Sequence, residues 1–185
     1  MERRTLIRAA AGAGLIAVAG AGGATLWLTP RQAKEQGAGH KVLSAGEVET
    51  LEALGEVLLP GARADGIANF VDSQLAAPAA DCLLILRYFD WPPPYAAFYK
   101  ASLAALDGAA EAQFGKAYAA LPAQQADALA GQLLGGRVKG WQGPPPPLFY
   151  MAARSDAVDV VYGTVEGFKK LGIPYMAHIL PETKW

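Results

Sequence analysis

The stretch SAGEVETLEALGEVLLPG, residues 44–61, contains a whole helix together with its start and stop signals. Ser44 puts a hydroxyl ahead of the first turn and Glu47 follows three residues later. Each side chain can then satisfy an amide that a helix start leaves free. Val48, Leu51, Leu54 and Leu58 recur at three- and four-residue spacing on one face, with Glu49, Glu52 and Glu56 on the other. Pro60 and Gly61 end the run. Such a helix must bury its apolar face against neighbours, which predicts further helices in the rest of the chain.

They follow. Ile67 to Ala77 is a second helix, with Phe70, Val71 and Leu75 inward and Pro78 as its stop. Asp81 to Phe89 is apolar on nearly every side and reads as a third, buried helix. Trp91-Pro92-Pro93-Pro94-Tyr95 must leave helical geometry, because a residue before proline disfavours the α region. Helix resumes over Tyr95–Leu106 and Ala109–Leu121, with Phe98, Leu103, Leu106, Phe114 and Tyr118 as core contacts. Pro122 opens another helix, which runs to Leu134 and stops at Gly135-Gly136. Trp141 to Pro147 is a proline-rich connector, either a stiff linker or a recognition strip, and Leu148 to Tyr162 is the last helix. No stretch after residue 30 alternates in polarity as a strand would. The expected fold is all-α: a single irregular helical bundle with Pro-rich connectors over residues 44–185, preceded by an N-terminal export signal.

Residues 1–30 have another character. Arg3 and Arg4, with Leu6 two positions on, precede an uncharged Gly/Ala-rich run from Ala9 to Pro30, the layout of a twin-arginine export signal. Ala9–Leu28 is also about long enough to span a bilayer, so cleavage and retention as an inner-membrane anchor are both open. Gly12-Ala13-Gly14-Leu15-Ile16-Ala17 has the spacing of a dinucleotide fingerprint, but there is no room for the strand that must precede it. Residues 31–43, RQAKEQGAGHKVL, are polar and glycine-containing, as in a flexible linker.

Composition excludes several functions. Hydrophobic residues make up 52% of the chain, enough for a core. Glu2 against Arg3, Arg4 and Arg8 gives residues 1–30 a charge of +2; the total is −1, so the remainder carries −3. An acidic domain lacks the phosphate-neutralising surface that nucleic-acid binding needs. A single cysteine, Cys82, can form no intrachain disulfide and reads as a buried thiol. With only His40 and His178, no closed Cys/His zinc site can be assembled.

No catalytic constellation emerges. The serines lack a nucleophile-elbow context and no phosphate-cradling loop occurs. Asp156 and Asp159, three apart on the last helix, are read as acids on a solvated face, with Arg154 as an ion-pair partner. A metal-dependent enzyme built from Asp156, Asp159 and His178 is the weakest reading. Aromatic residues near prolines stand out instead. Trp91, Tyr95, Trp141, Phe149, Tyr150, Tyr162 and Tyr175 are candidates for a partner interface, and equally for core volume in an alanine-rich bundle.

The order of motifs carries a family likeness. It comprises the paired arginines, Leu43-Ser44-Ala45-Gly46-Glu47, Leu58-Leu59-Pro60-Gly61-Ala62, Phe70-Val71-Asp72, Phe114-Gly115, Phe149-Tyr150, Tyr162-Gly163 and Gly172-Ile173-Pro174-Tyr175. Over roughly residues 1–176 the chain resembles the gluconate 2-dehydrogenase subunit 3 family. It departs at Tyr162–Gly167, where a longer aromatic, Gly-rich stretch is expected. The resemblance implies a non-catalytic small subunit with no cofactor of its own. Its partner would be a large FAD-containing dehydrogenase subunit of the glucose–methanol–choline type, often joined by a cytochrome c subunit. It also implies a periplasmic complex, with Arg3 and Arg4 taking both chains through the twin-arginine translocase. The competing reading is a stand-alone helical binding protein tethered to the membrane by residues 9–28.

Overall fold

The structure, a computed structural model, describes residues 16–19 and 25–172. Arg3, Arg4, Leu6, Tyr175 and His178 lie outside them. The described residues are mostly helical: α1 (Pro30–Glu35), α2 (Ala45–Leu58), α3 (Ile67–Leu75), α4 (Tyr95–Phe114), α5 (Ala123–Gly135), α6 (Pro146–Tyr162) and α7 (Val165–Lys170). Short 3-10 turns cover Ala79–Asp81, Ile85–Phe89 and Tyr118–Ala120. Two four-residue strands, β1 (Ile16–Ala19) and β2 (Thr25–Leu28), pair antiparallel with Ile16 opposite Leu28. They fall where a spanning anchor was considered, and no described helix is long and apolar enough to cross a membrane.

The signals in residues 44–61 operate as read. Ser44 Oγ accepts from the Glu47 amide at 3.4 Å and Glu47 Oε2 accepts from the Ser44 amide at 2.7 Å, closing the capping box. Leu51 and Leu54 are wholly buried, with Val48 and Leu58 half-buried beside them. Only Glu49 of the three acids is idle on the surface: Glu52 pairs with Lys34, and Glu56 accepts from the Gly61 amide at 3.1 Å. α2 and α6 form the centre of the bundle. α6 packs on α2, α3, α4, α5 and α7, while α2 also meets the 118–120 turn. Asp107 on α4 joins three elements, accepting from the Thr50 hydroxyl at 2.9 Å and from the Tyr118 amide at 2.9 Å.

Several boundaries differ from expectation. The chain does not break near residue 107; α4 continues to Phe114, where Gly115 takes the left-handed conformation (φ 72°) that ends it. Residues 118–120 form a separate 3-10 turn, and Pro122 caps α5 from outside. Asp81–Phe89 is not an α-helix. Cys82 and Leu84 are extended, with ψ of 134° and 140°, so alternation rather than helical period turns both inward, and Leu86 is buried from within the 3-10 turn that follows.

Residues 31–43 are not a free linker. Thr29 and Gln32 form a second capping box that starts α1, and Ala33 is fully buried. The buried Asp72 carboxylate accepts from the amides of Lys41, Val42 and Leu43, each at 2.8 Å. Asp65, only 4% exposed, pairs with Arg31 on one side and Lys170 on the other. Gly66, at φ 83°, lets the start of α3 approach α1 closely: a Cβ there would lie 2.4 Å from the Pro30 carbonyl oxygen.

Candidate subunit interface

Residues 82–94 are built outward from a fixed base. The Leu83 amide donates to Gln74 Oε1 at 2.8 Å, and the wholly buried Cys82, Leu84 and Leu86 anchor the segment. A 3-10 turn follows, and its tip carries Tyr88 and Phe89 out of the core, 71% and 44% exposed. Asp90 then adopts a left-handed conformation (φ 52°), which a short polar side chain tolerates, and this swings Trp91 back inward. The Trp91 ring meets Phe98 edge-on at 4.9 Å. Pro92, Pro93 and Pro94 lie exposed beside the tip, with a cis bond between Pro93 and Pro94.

The outcome is an aromatic–proline ridge on a firm backbone. Exposed aromatic rings are costly to leave in water and are typical anchors of protein interfaces. Prolines and local hydrogen bonds limit the freedom such a surface loses on docking. Tyr88 and Phe89 were absent from the residues singled out in sequence, because the run 81–89 reads as buried helix. Arg87 and Asp90, which bracket the two rings with charge, were the available sign that this end of the run faces water.

Most of the aromatics that sequence offered for an interface are elsewhere. Phe149 is fully buried and Tyr95 is 8% exposed, so both belong to the core. Trp141 is half-buried; its Nε1 donates to the Pro144 carbonyl at 2.7 Å and its ring lies 6.1 Å from Phe149, closing the connector on itself. Tyr150 and Tyr162 are half-buried against the core. Of those among the described residues, Trp91 alone joins the ridge, as its inner support.

The acids of α6 separate as well. Asp156 is not on a solvated face but fully buried, and accepts a hydrogen bond from the Tyr99 hydroxyl; Asp159 is exposed. Burial pushes the Asp156 carboxyl up to about 8; the Tyr99 hydrogen bond opposes this and Asp159 adds to it. Burial and Asp156 together raise Tyr99 well above its ordinary value, and burial raises the Cys82 thiol. A thiol raised in this way is a poor nucleophile. Arg154 makes no ion pair among the described residues, and no described group of three His, Cys, Asp or Glu side chains could hold a metal. A polar cleft of about 230 Å³ beside Asp65, lined by Arg31, Glu35 and Glu166, brings together charges, and its two hydroxyls, Thr29 and Thr164, are engaged as helix caps.

The family described as gluconate 2-dehydrogenase subunit 3 matches residues 45–178. The chain belongs to the gluconate 2-dehydrogenase subunit 3 family. No match was found among curated proteins or among solved structures. The family's description is of a third subunit, a chain that works inside a multi-subunit gluconate dehydrogenase. The match begins at the first residue of α2 and includes the whole of the 82–94 ridge. α1 and residues 36–44 lie outside the matched residues, although Asp65 fastens α1 to them through Arg31 and Asp72 fastens residues 41–43.

Proposed function

We propose that this chain is the non-catalytic small subunit of a periplasmic, FAD-dependent dehydrogenase of the glucose–methanol–choline type, acting on a sugar, a polyol or gluconate. The large subunit holds the flavin and performs the oxidation. This subunit docks on it and stabilises its folded, FAD-loaded form by mass action, since whatever binds only the native state shifts the equilibrium toward it. Arg3, Arg4 and Leu6 supply the twin-arginine address that takes both chains across the membrane, and a cytochrome c subunit accepts the electrons.

The observation that carries this reading is family membership joined to a ridge of exposed aromatic and proline residues, Tyr88, Phe89 and Pro92–Pro94. The test is to tag the full chain in its native host and look for a co-purifying flavoprotein. Tyr88→Ala with Phe89→Ala should leave the fold intact and weaken retention of that flavoprotein at least tenfold, as expected when about 2 kcal/mol or more of hot-spot contact is lost. A colourless, unaccompanied chain would refute the reading. Undiminished retention by the double variant would move the interface off the ridge.

A further inference from the structure

One buried group has no part in docking. Asp156 sits on α6 at the centre of the bundle, with one carboxylate oxygen taking the Tyr99 hydroxyl from α4 and the other, Oδ1, without a hydrogen-bond partner. Ser102, one turn beyond Tyr99 on α4, is also fully buried, and its hydroxyl likewise lacks a partner. No cation balances this site, since Asp156 takes part in none of the ion pairs among the described residues.

The elements packed around α6 bring little else that ionises. Cys82, from the extended stretch before the 85–89 turn, and Asp159, one turn along α6, act on the site with Tyr99; Arg87 is exposed and reaches only the Cys82 carbonyl, at 3.4 Å. On α3, Asp72 is engaged with the amides of 41–43, and on α2, Thr50 is bonded to Asp107. The buried residues of α5 are Ala126, Leu129, Ala130 and Leu133, and that of α7 is Gly167. An ionised Asp156 would therefore be a charge in an apolar interior with one hydrogen bond, whereas a neutral carboxyl is tolerated there.

The pair is also wired to the surface. Tyr99 lies 5.7 Å from Phe98 and 6.5 Å from Phe149 by ring centroids, and Phe98 is the ring against which Trp91 supports the ridge. We infer that Asp156, buried against Tyr99 between α6 and α4, is a proton-operated latch: neutral, it fits the apolar packing, and ionised, it is an unbalanced charge that the Tyr99 hydrogen bond offsets only in part, so that the packing of α6 on α4, and with it the aromatic support of the Tyr88–Pro94 ridge, loosens as the proton leaves. The regulatory half of this inference rests on the docking role proposed above; the latch itself does not.

The sign follows from proton counting. With the buried carboxyl raised to about 8, the native chain between about pH 4 and about pH 8 holds a proton that the unfolded chain has released. The contribution of Asp156 to stability therefore falls as pH rises through that window and is level above it.

The test uses the isolated full chain, so that its failure is separable from failure to find a flavoprotein. Near-ultraviolet circular dichroism, which reads the packing of the aromatic cluster, should change with a single-proton midpoint near pH 8, the value burial gives Asp156. Asp156→Asn should abolish that transition. Tyr99→Phe should move it to higher pH, because the lost hydrogen bond favours the ionised form. Infrared spectroscopy at about pH 6, where ordinary carboxylates are ionised, should show one protonated carboxyl band in the unaltered chain, which needs no variant to fold. A transition that survives in Asp156→Asn, a downward shift in Tyr99→Phe, or the absence of that band would each overturn the latch.

Discussion

Replacing Asp72 by Asn tests whether residues 31–43 belong to the domain. The change keeps volume and shape and alters only what the side chain can accept. In the native chain Oδ1 takes the Val42 and Leu43 amides and Oδ2 takes that of Lys41, all at 2.8 Å. An asparagine keeps one acceptor oxygen and turns an NH2 group toward at least one of these N–H donors. Hydrogen bonds to a charged group contribute about 1.5–3 kcal/mol each. The three share one carboxylate and one desolvation cost, so they do not sum. A loss of about 3 kcal/mol is the working figure for a residue only 4% exposed. In a chain of this size that is a fall in Tm of roughly 6–12 °C. Guanidinium titration measures the loss, and amide hydrogen exchange locates it: protection at Lys41, Val42 and Leu43 should drop before that of α2 and α6. A change under about 0.5 kcal/mol, the range of ordinary surface substitutions, with unaltered protection at 41–43, would refute the pinned segment and restore a free linker.

Gly66→Ala should cost about 2–4 kcal/mol, combining left-handed strain with a Cβ set 2.4 Å from the Pro30 carbonyl, and exchange should show α1 released; a neutral substitution would mean that α1 does not lie against α3. Phe149→Ala should lower stability by about 3–5 kcal/mol, since the ring is fully buried among Phe98, Tyr99 and Trp141. Full stability with loss of partner binding would instead place Phe149 at an interface. Arg3→Lys with Arg4→Lys should leave the partner's dehydrogenase activity in the cytoplasm on fractionation, and unchanged periplasmic activity would defeat the escort role.

The family likeness was already legible in motif order, from Leu43–Glu47 through Tyr162-Gly163, and several of those motifs are local caps or stops, as at Ser44, Pro60-Gly61 and Gly115. The candidate interface was not. Sequence pointed to aromatic residues near prolines and so to Phe149 and Tyr95, which fill the core, and passed over Tyr88 and Phe89, which leave it. An aromatic side chain serves equally well as core volume or as an anchor, and nothing in its immediate neighbours decides between them.

By itself the sequence determined the helical class and the ends of the strongest helices. Capping at Ser44 and Glu47, the one-sided period of Leu51 and Leu54, the stop at Pro60-Gly61 and the start of α3 after Gly66 all depend on residues within a turn or two of one another. Tertiary structure alone decided which way the less one-sided segments face. α6 carries apolar residues around much of its circumference, so its period leaves Asp156 free to be read as solvated, and only the surrounding helices bury it. The same holds for the segment 31–43, polar in composition yet fixed by a carboxylate some thirty residues away. Local signals act over the reach of one helical turn. Burial and long-range hydrogen bonds depend on what the fold brings alongside, and those neighbours are distant in sequence.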